Sequence, residues 1–475
     1  MPEQEEEQLK PLQLSLKSNN YIGIANNAMR TLPPLAVHAD DLYQWTGKFW
    51  DTLTDMDIGQ HIFTLFAEHY PKGWSPSKTK SIIEAVKYHP SITKVIEFDN
   101  YKDRNIMNLE NGVLDLDHTG KGLIPHDKKY MFTSCIPIPY DQKNTECPHF
   151  KEFLQDVFRN PDDTIDTNMC DTIIQLGGYL IYPKVRAKKL FIFYGNGSNG
   201  KSIIMDYVFS MFFNENNVTD LSMDILANED NTARGDLQTS RLNMCGEQAG
   251  IKIKFDEIKK IVSGEWISTK RHYKNGRKRF KPHTKVLISG NKRIVVMDSS
   301  YGADRRLFPM DFLNKFVSAQ EYADYEVEYA KLEQTPNEKR IFLAKDELVL
   351  AQHFKDEAPA ILNLFLDGLK ALAQNQWKFK KHQSIIKAEM EYKTESDPTT
   401  LWIKKTYIES KDPNDFIPIQ QIYDIDYMVF YNLNFSHSKR SSPLRKNTLA
   451  KKIRDEFRID TISKSNIKGF RLKNL

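Results

Sequence analysis

The eight residues Gly195-Asn196-Gly197-Ser198-Asn199-Gly200-Lys201-Ser202 constrain what this chain can fold into more than any other feature. Glycines at 195, 197 and 200 let the backbone bend through positive φ and close its N–H groups around an anion. The pattern G-x-x-x-x-G-K-[ST] is complete, and its flanks are those the chemistry requires. Before it, Lys189 to Tyr194 is a short apolar run of the kind buried in a parallel sheet. After it, Ile203, Ile204 and Val208 mark one face of a helix. Strand, glycine-rich turn and helix N-terminus together predict a three-layer α/β core with a phosphate site at one edge of its sheet. Gly195 to Ser202 are then the nucleotide-binding residues. Lys201 would neutralise the β- and γ-phosphates and Ser202 would ligate Mg²⁺, so ATP and Mg²⁺ are the expected cofactors.

Two further apolar runs, Arg241 to Cys245 and Lys285 to Ser289, fit the same sheet, with helical patterns such as Phe255 to Val262 between them. Residues 1–37 read as a polar tail, acidic from Met1 to Gln8. Residues 38–150 alternate helix and strand signals and form an expected N-terminal α/β accessory domain. Its landmarks are an aromatic hairpin from Tyr43 to Trp50, turning at Thr46-Gly47, and a strand-like stretch from Asn105 to Leu116. A helix from Phe150 to Phe158 lies near the boundary. Residues 151–345 hold the phosphate loop and its associated motifs. Residues 340 to 393 look helical, so 346–397 is assigned as a helical segment closing on a polar linker from Lys393 to Pro398. Residues 398–475 read as a separate small domain.

Three more positions bear on the chemistry. Leu242 to Glu247 has the form of a strand delivering a carboxylate, and Glu247 there would activate water or help hold the metal, although Asn243 interrupts the apolar run and a solvated glutamate is the plain alternative. Val286 to Asn291 is a strand ending in an amide that can orient a lytic water, although Gly-Asn after a strand is also an ordinary turn. Arg305 and Arg306 have the character of an arginine finger aimed at a neighbour's γ-phosphate, or of a surface ion pair.

Order and spacing favour the functional alternatives. Lys201, Glu247, Asn291 and Arg305 follow one another within about 105 residues. The loop GNGSNGKS, the strand RLNMCGE, the segment Lys260 to Ile267, and VLISGN followed by GADRRLFPMDF resemble the superfamily 3 helicases, in the branch of phage and plasmid primase-helicases and the poxvirus primase-helicase. Asn111 to Leu116, His126-Asp127 and the aromatic hairpin look like the accessory domain preceding the ATPase there, so the resemblance covers roughly residues 40 to 345. It implies an AAA+ P-loop core working as a homo-hexameric ring that moves 3′ to 5′ on one strand. Lys201 and Ser202 would be the P-loop pair, Glu247 the Walker B acid, Asn291 sensor 1, and Arg305 or Arg306 the finger acting in trans. The second strand, LNMC, is less apolar than the family's usual one.

Two basic regions are expected to meet DNA. Between Trp266 and Lys285, Asn275-Gly276 flanked by alternating residues is a strong hairpin signal. Its cations Lys270, Arg271, Lys274, Arg277, Lys278 and Arg279 would track phosphates, and related helicases aim such a hairpin into the ring channel. A solvated basic loop is the alternative. Near the C-terminus, Ile417 to Leu433 reads as an amphipathic helix, and Ser442-Pro443 reads as N-cap and N1 of a second one. Arg445, Lys446, Lys451 and Lys452 crowd the polar face of that second helix, and short strands are expected at Ile459 to Ile462 and Gly469 to Leu472. Helix, basic helix and strand pair form a winged-helix outline suited to duplex or origin DNA, with a basic protein-docking domain as the alternative.

Composition removes other classes. Hydrophobic residues are 40% of the chain and aromatics 11%, enough for packed cores. Cys135, Cys147, Cys170 and Cys245 form no CxxC pair, which argues against zinc and for a reducing cytoplasm; the resemblance to phage and plasmid proteins implies that of a bacterial host. No membrane span or signal peptide is evident. Asp115-Leu116-Asp117 superficially suggests primase carboxylates, but no further carboxylate strand accompanies it, so a primase would be a separate partner. The expected activity is ATP-dependent unwinding of DNA for replication of a phage, plasmid or mobile element. The alternative is a P-loop ATPase that remodels a complex without unwinding.

Overall fold

The computed structural model describes residues 21–38, 41–69, 74–95, 98–99, 105–246, 252–270, 276–296, 301–396, 398–412, 414–435, 443–464 and 467–474. It is a mixed α/β molecule. The described residues open with helix α1 (Tyr21–Thr31), within the stretch 1–37 expected to be a polar tail, because Ile24, Ala25 and Ala28 form an apolar, buried stripe. Strands β1 (Leu35–His38), β2 (Asp41–Trp45), β3 (Trp50–Leu53) and β4 (Thr93–Lys94) pair in the order β3-β2-β1-β4, covered by α2 (Asp55–His69) and α3 (Pro76–Lys87). β2 and β3 are the aromatic hairpin, with Trp45 opposite Trp50. A second small sheet, β5 (Ile106–Leu109), β6 (Gly112–Asp115) and β7 (Leu123–Ile124), leads into α4 (Pro148–Val157) and α5 (Thr167–Ile181).

The central sheet holds β8 (Leu190–Tyr194), β9 (Val218–Thr219), β10 (Leu242–Cys245), β13 (Lys285–Gly290) and β14 (Leu307–Asp311), with the hairpin β11 (Ile267–Lys270) and β12 (Arg277–Phe280) inserted before β13. All four pairings in it are parallel, and the spatial order is β14-β8-β13-β10-β9. Every residue of β8 and of β13 is buried, as strands covered on both faces must be. Helix α6 (Asp256–Val262) follows the expected pattern. Asn243, the polar interruption in β10, is fully buried because its amide replaces strand pairing: it accepts from Leu221 N at 2.9 Å and donates to Leu221 O at 3.0 Å, just beyond the short β9. β14 was not expected as a strand. It accommodates Pro309 because it is the sheet's edge, paired only with β8, where a missing N–H can face outward.

Phe191 and Phe193 point to one face of the sheet, into a core that runs from Met107 to Ile385. Leu190 and Ile192 point to the other, with Ile258, Ile261 and Ile288. On the first face α5 meets α9 (Ala358–Gln374) at van der Waals distance, and a Cβ at Gly178 would overlap the backbone of Phe365, so glycine is required there. After β14 the chain forms β15 (Lys315–Val317), α7 (Ala319–Ala330) and β16 (Ile341–Leu343), with β15 and β16 parallel. Helix α8 (Glu347–Asp356) then precedes α9, and α10 (Gln383–Ser396) follows it. The stretch expected to be helical from 340 therefore begins with a strand, and the expected linker is mostly the end of α10.

The N-terminal part is tied to the foot of the central sheet by charge. Asp99 pairs with Arg241, whose Nε donates to Ser134 Oγ at 3.0 Å. Lys285 beside them donates to Tyr182 O, and burial pushes its ammonium well below the usual lysine range.

The C-terminal part has its own core of Ile403, Tyr407, Ile422, Leu449, Ile453, Phe470 and Leu472. It contains α11 (Pro398–Thr406), a helical run from Ile419 through α12 (Met428–Phe435), and α13 (Lys446–Phe457). Its strands are β17 (Tyr407–Glu409), β18 (Ile417–Pro418), β19 (Ile462–Lys464), β20 (Ile467–Phe470) and β21 (Leu472–Asn474). α13 starts later than Ser442-Pro443: Tyr427 and Tyr423 hydroxyls clamp Leu444 N and O at 2.9 and 2.8 Å, which keeps the chain extended there and makes Arg445 the N-cap. Ser442 lies outside the described residues. The first strand of the pair falls later than expected, at Ile462 rather than Ile459, because Arg458 at φ 55° ends the helix and turns the chain away first; the second begins earlier, at Ile467 rather than Gly469.

Candidate nucleotide and nucleic-acid sites

The phosphate loop leaves β8 at Tyr194 and enters the helix Ile203–Phe209. Gly197, Ser198 and Gly200 take φ values of 94°, 47° and 83°, the left-handed bends that fold the loop over itself. Phe316 N donates to Ser198 O at 2.6 Å, and the Asn199 amide reaches Phe312 O at 3.4 Å, so β14 and β15 brace the loop from the side. A Cβ at Gly200 would come within 2.8 Å of the Val157 side chain below it. Lys201 is 6% exposed. Its ammonium donates to Gly195 O and Asn199 Oδ1, both at 2.8 Å, and burial pushes its pKa down to about 8. Ser202 is exposed at the start of the helix.

An open pocket of about 310 Å³ lies over this loop. Asn291, directly after β13, lines it together with Asn196 and Gly197, which unites the expected sensor with the expected loop. Sequence reasoning missed four charged residues that share the pocket, Arg293, Asp311, Lys315 and Glu391. Arg293 donates to Asp311 Oδ2 and to Glu391 Oε2, both at 3.0 Å, and its guanidinium lies 4.7 Å from the centre of the Tyr194 ring. Asp311 ends β14 beside Tyr194, and burial raises its pKa even though Arg293 is present. Among the described residues its Oδ1 has no hydrogen-bond partner. The signal available for Asp311 was an apolar run, Leu307 to Met310, ending in a carboxylate, the same form that drew attention to Glu247. Glu247 itself lies outside the described residues, which stop one residue earlier at Gly246.

Arg305 and Arg306 part company in the structure. Arg306 is tied inward, with Nε donating to Ser263 Oγ at 3.0 Å and NH1 to Gly302 O at 2.8 Å. Arg305 is exposed, and its carbonyl accepts from Lys189 Nζ at 2.6 Å. Both precede β14, whose Leu307 pairs with Leu190 at the start of β8. The phosphate loop follows the other end of β8. The arginines therefore lie at the opposite edge of the sheet from the chain's own loop, a strand length of roughly 13 Å away.

The basic hairpin forms as expected, with Ile267 opposite Phe280 and Lys270 opposite Arg277. Alternation puts Ile267, Thr269 and Phe280 inside and sends Lys270, Arg277 and Arg279 outward. Its described cations are engaged within the chain. Lys270 and Arg277 share Asp230, at 3.4 and 2.7 Å; Lys278 pairs with Asp41 at 2.9 Å; and the Arg279 guanidinium lies 4.9 Å from the Trp266 ring centre. Arg271 and Lys274 lie outside the described residues. On α13, Arg445, Lys446 and Lys451 are exposed, whereas Lys452 is half-buried and reaches Thr400 Oγ1 at 3.3 Å. Among the described residues no helix is long and apolar enough to cross a membrane, and no cluster of three metal-ligating side chains occurs.

Two segments match known families. Residues 37–159, from the end of β1 through α4, match a family described as D5 N terminal like. They include the aromatic hairpin, Asn111 to Leu116 and His126-Asp127. Residues 193–306 match a family of unknown function, DUF5906, and run from the end of β8 through the phosphate loop to Arg306. No curated protein matches the sequence. Among solved structures, the apo C-terminal region of NrS-1 aligns over 95% of this chain and 99% of its own length, at 12% identity and a TM-score of 0.43. The A form of the apo C-terminal region of NrS-1 aligns over 92% and 96%, at 12% identity and 0.41.

Proposed function

We propose that this chain is a subunit of an ATP-driven DNA helicase of the primase-helicase type, serving replication of a phage, plasmid or other mobile element, with an AAA+ core and a C-terminal winged helix. The observation that carries the proposal is the division of one site between two edges of one sheet. Gly195, Asn196, Gly197 and Asn199 of the loop share a pocket with Asn291 at the carboxyl edge of β8 and β13, while the exposed Arg305 lies at the opposite edge. A single chain cannot bring these together, and a ring of head-to-tail copies can. The D5 N terminal like segment preceding the loop supports the same placement.

The residues suit ATP and Mg²⁺. Lys201 already holds its ammonium against two oxygens at the loop and would transfer it to phosphate oxygens, relieving the cost of its burial. The Ser202 hydroxyl, with Glu247, would help hold Mg²⁺ beside the nucleotide phosphates. Mg·ATP supplies the phosphoryl group whose transfer to water drives the cycle. Glu247 would take the proton from that water, Asn291 would orient it, and Arg305 of the next subunit would stabilise charge on the transferring group. The basic hairpin would grip single-stranded DNA, and α13 would read duplex or origin DNA. Lys201→Ala should abolish ATP hydrolysis and the unwinding of forked DNA while leaving duplex binding within about twofold of wild type. ATPase retained within a factor of about two would overturn the assignment.

A further inference from the structure

We infer that helix α7 is the docking surface for a second copy of this chain, and that its counterpart is the basic face around Arg305. The inference rests on the composite ATP site proposed above and adds the surfaces that would bring its two halves together.

Helix α7 reads Ala-Gln-Glu-Tyr-Ala-Asp-Tyr-Glu-Val-Glu-Tyr-Ala and buries none of its twelve residues. Tyr322, Tyr325 and Tyr329 are half-buried on its inner side, and Tyr325 stacks on Tyr329 with ring centres 5.8 Å apart. The outer side carries Asp324, Glu326 and Glu328 around Val327, which is 63% exposed. Glu321 has a task of its own, since its carboxylate closes the capping box with Ser318. No ion pair between the other three acids and a described residue occurs. Like charges three and four residues apart destabilise an isolated helix, and a helix that is polar outside and only half-buried inside draws little stability from packing. A cationic partner would correct both.

The position of α7 identifies the partner. The helix is carried between β15 and β16, and Lys315 of β15 both lines the nucleotide pocket and donates to Tyr325 Oη at 3.2 Å. A subunit that delivers an arginine to that pocket must also pass α7. The delivering edge is basic. Arg186 and Lys188 are exposed in the turn before β8. Lys189 of that turn bonds the Arg305 carbonyl, and its pKa is pushed down to about 8 by burial and then by the charge of Lys381. Lys378 and Lys380 are exposed in the adjoining loop. An acidic, apolar-centred helix beside the loop and a cationic surface around the finger are complementary in charge and lie at opposite edges of one sheet. That is the requirement of a heterologous, head-to-tail interface.

Charge exchange tests the pairing. One variant carries Asp324→Lys, Glu326→Lys and Glu328→Lys; the other carries Arg186→Glu, Lys188→Glu and Lys380→Glu. The full chain is used, with a non-hydrolysable ATP analogue and Mg²⁺, and assembly is followed by sedimentation velocity. Each variant alone should assemble at least about tenfold more weakly than wild type. An equal mixture should recover assembly, because both kinds of interface then join opposite charges. Circular dichroism of each variant checks folding, and recovery on mixing is itself proof of it. If either variant assembles like wild type, or if the mixture does no better than its parts, these surfaces are not the interface. Loss of DNA binding by the lysine–arginine variant with assembly intact would also overturn the proposal, and would reassign that face to nucleic acid. The broader reading fails separately: wild-type protein that never self-associates with nucleotide and DNA would remove the ring as well as this interface.

Discussion

Lys201 ties its charge to two neutral oxygens, yet burial still pushes its pKa down to about 8. The sign of the resulting pH dependence is fixed by which form binds phosphate. Below about pH 8 the ammonium is already charged, so nucleotide affinity is level. Above it the free protein must take up a proton to bind, so affinity should fall by up to about tenfold per pH unit until the bound-state pKa is reached. Isothermal titration of an ATP analogue from pH 7 to 10 in two buffers of different ionisation enthalpy would show both the fall and the proton uptake; a flat profile would count against Lys201 as the phosphate contact. The two arginines make a second contrast. Arg306→Ala removes bonds to Ser263 and to the Gly302 carbonyl and should cost roughly 1–3 kcal/mol in denaturant unfolding. Arg305→Ala should leave stability within about 0.5 kcal/mol and remove ATPase. The identities of the loop residues were legible in the sequence, because that chemistry is local. The partners of Arg293, namely Asp311 and Glu391, were not, since they come from positions 18 and 98 residues away.

The hairpin β11–β12 shows how an element can be foreseen while its state is not. Asn275-Gly276 and strict alternation are enough to predict two strands, but nothing local predicts that Asp230 would occupy Lys270 and Arg277. An exposed ion pair of this kind contributes about 0–1 kcal/mol, so DNA phosphates can displace it at little cost. Asp230→Asn should therefore free Lys270 and loosen Arg277, which keeps Glu229 at 3.6 Å, and tighten single-stranded DNA binding by up to about fivefold at low salt, with the gain shrinking as salt rises. Fluorescence anisotropy with a labelled oligonucleotide across a salt series measures it, and weaker binding would argue that Asp230 positions the hairpin for its strand. β14 was missed for a different reason: Pro309 reads as a strand breaker, and only the edge position revealed by the sheet order makes it acceptable. In the C-terminal part, helices and a strand pair were legible from periodicity. The starting point of α13 was set by Tyr423 and Tyr427 clamping Leu444, a contact spanning 21 and 17 residues that local periodicity does not show.

At the scale of the whole molecule, the separation of Arg305 from the phosphate loop makes a mixing experiment decisive. Lys201→Ala keeps its arginine, and Arg305→Ala keeps its loop. Each alone should be nearly inactive, and mixtures should regain part of the ATPase, because some interfaces then combine an intact loop with an intact arginine, an interaction able to supply roughly 10³–10⁵ in rate. Co-assembled mixtures inactive at every ratio would exclude catalysis in trans. The ties between the N-terminal part and the central sheet bear on where this chain can be cut. Asp99 neutralises Arg241, and Met107, Leu114, Phe150 and Leu154 pack into the same core as Phe191 and Phe193. A recombinant fragment bounded at 193 and 306, where one family match begins and ends, would lose β14 and those packing partners and would leave Arg241 without its buried counter-charge, a loss on the order of 3–5 kcal/mol for the ion pair alone. Cloning boundaries drawn from sequence matching would thus yield insoluble protein here: the stretch that is recognisable by descent is shorter than the stretch that can fold.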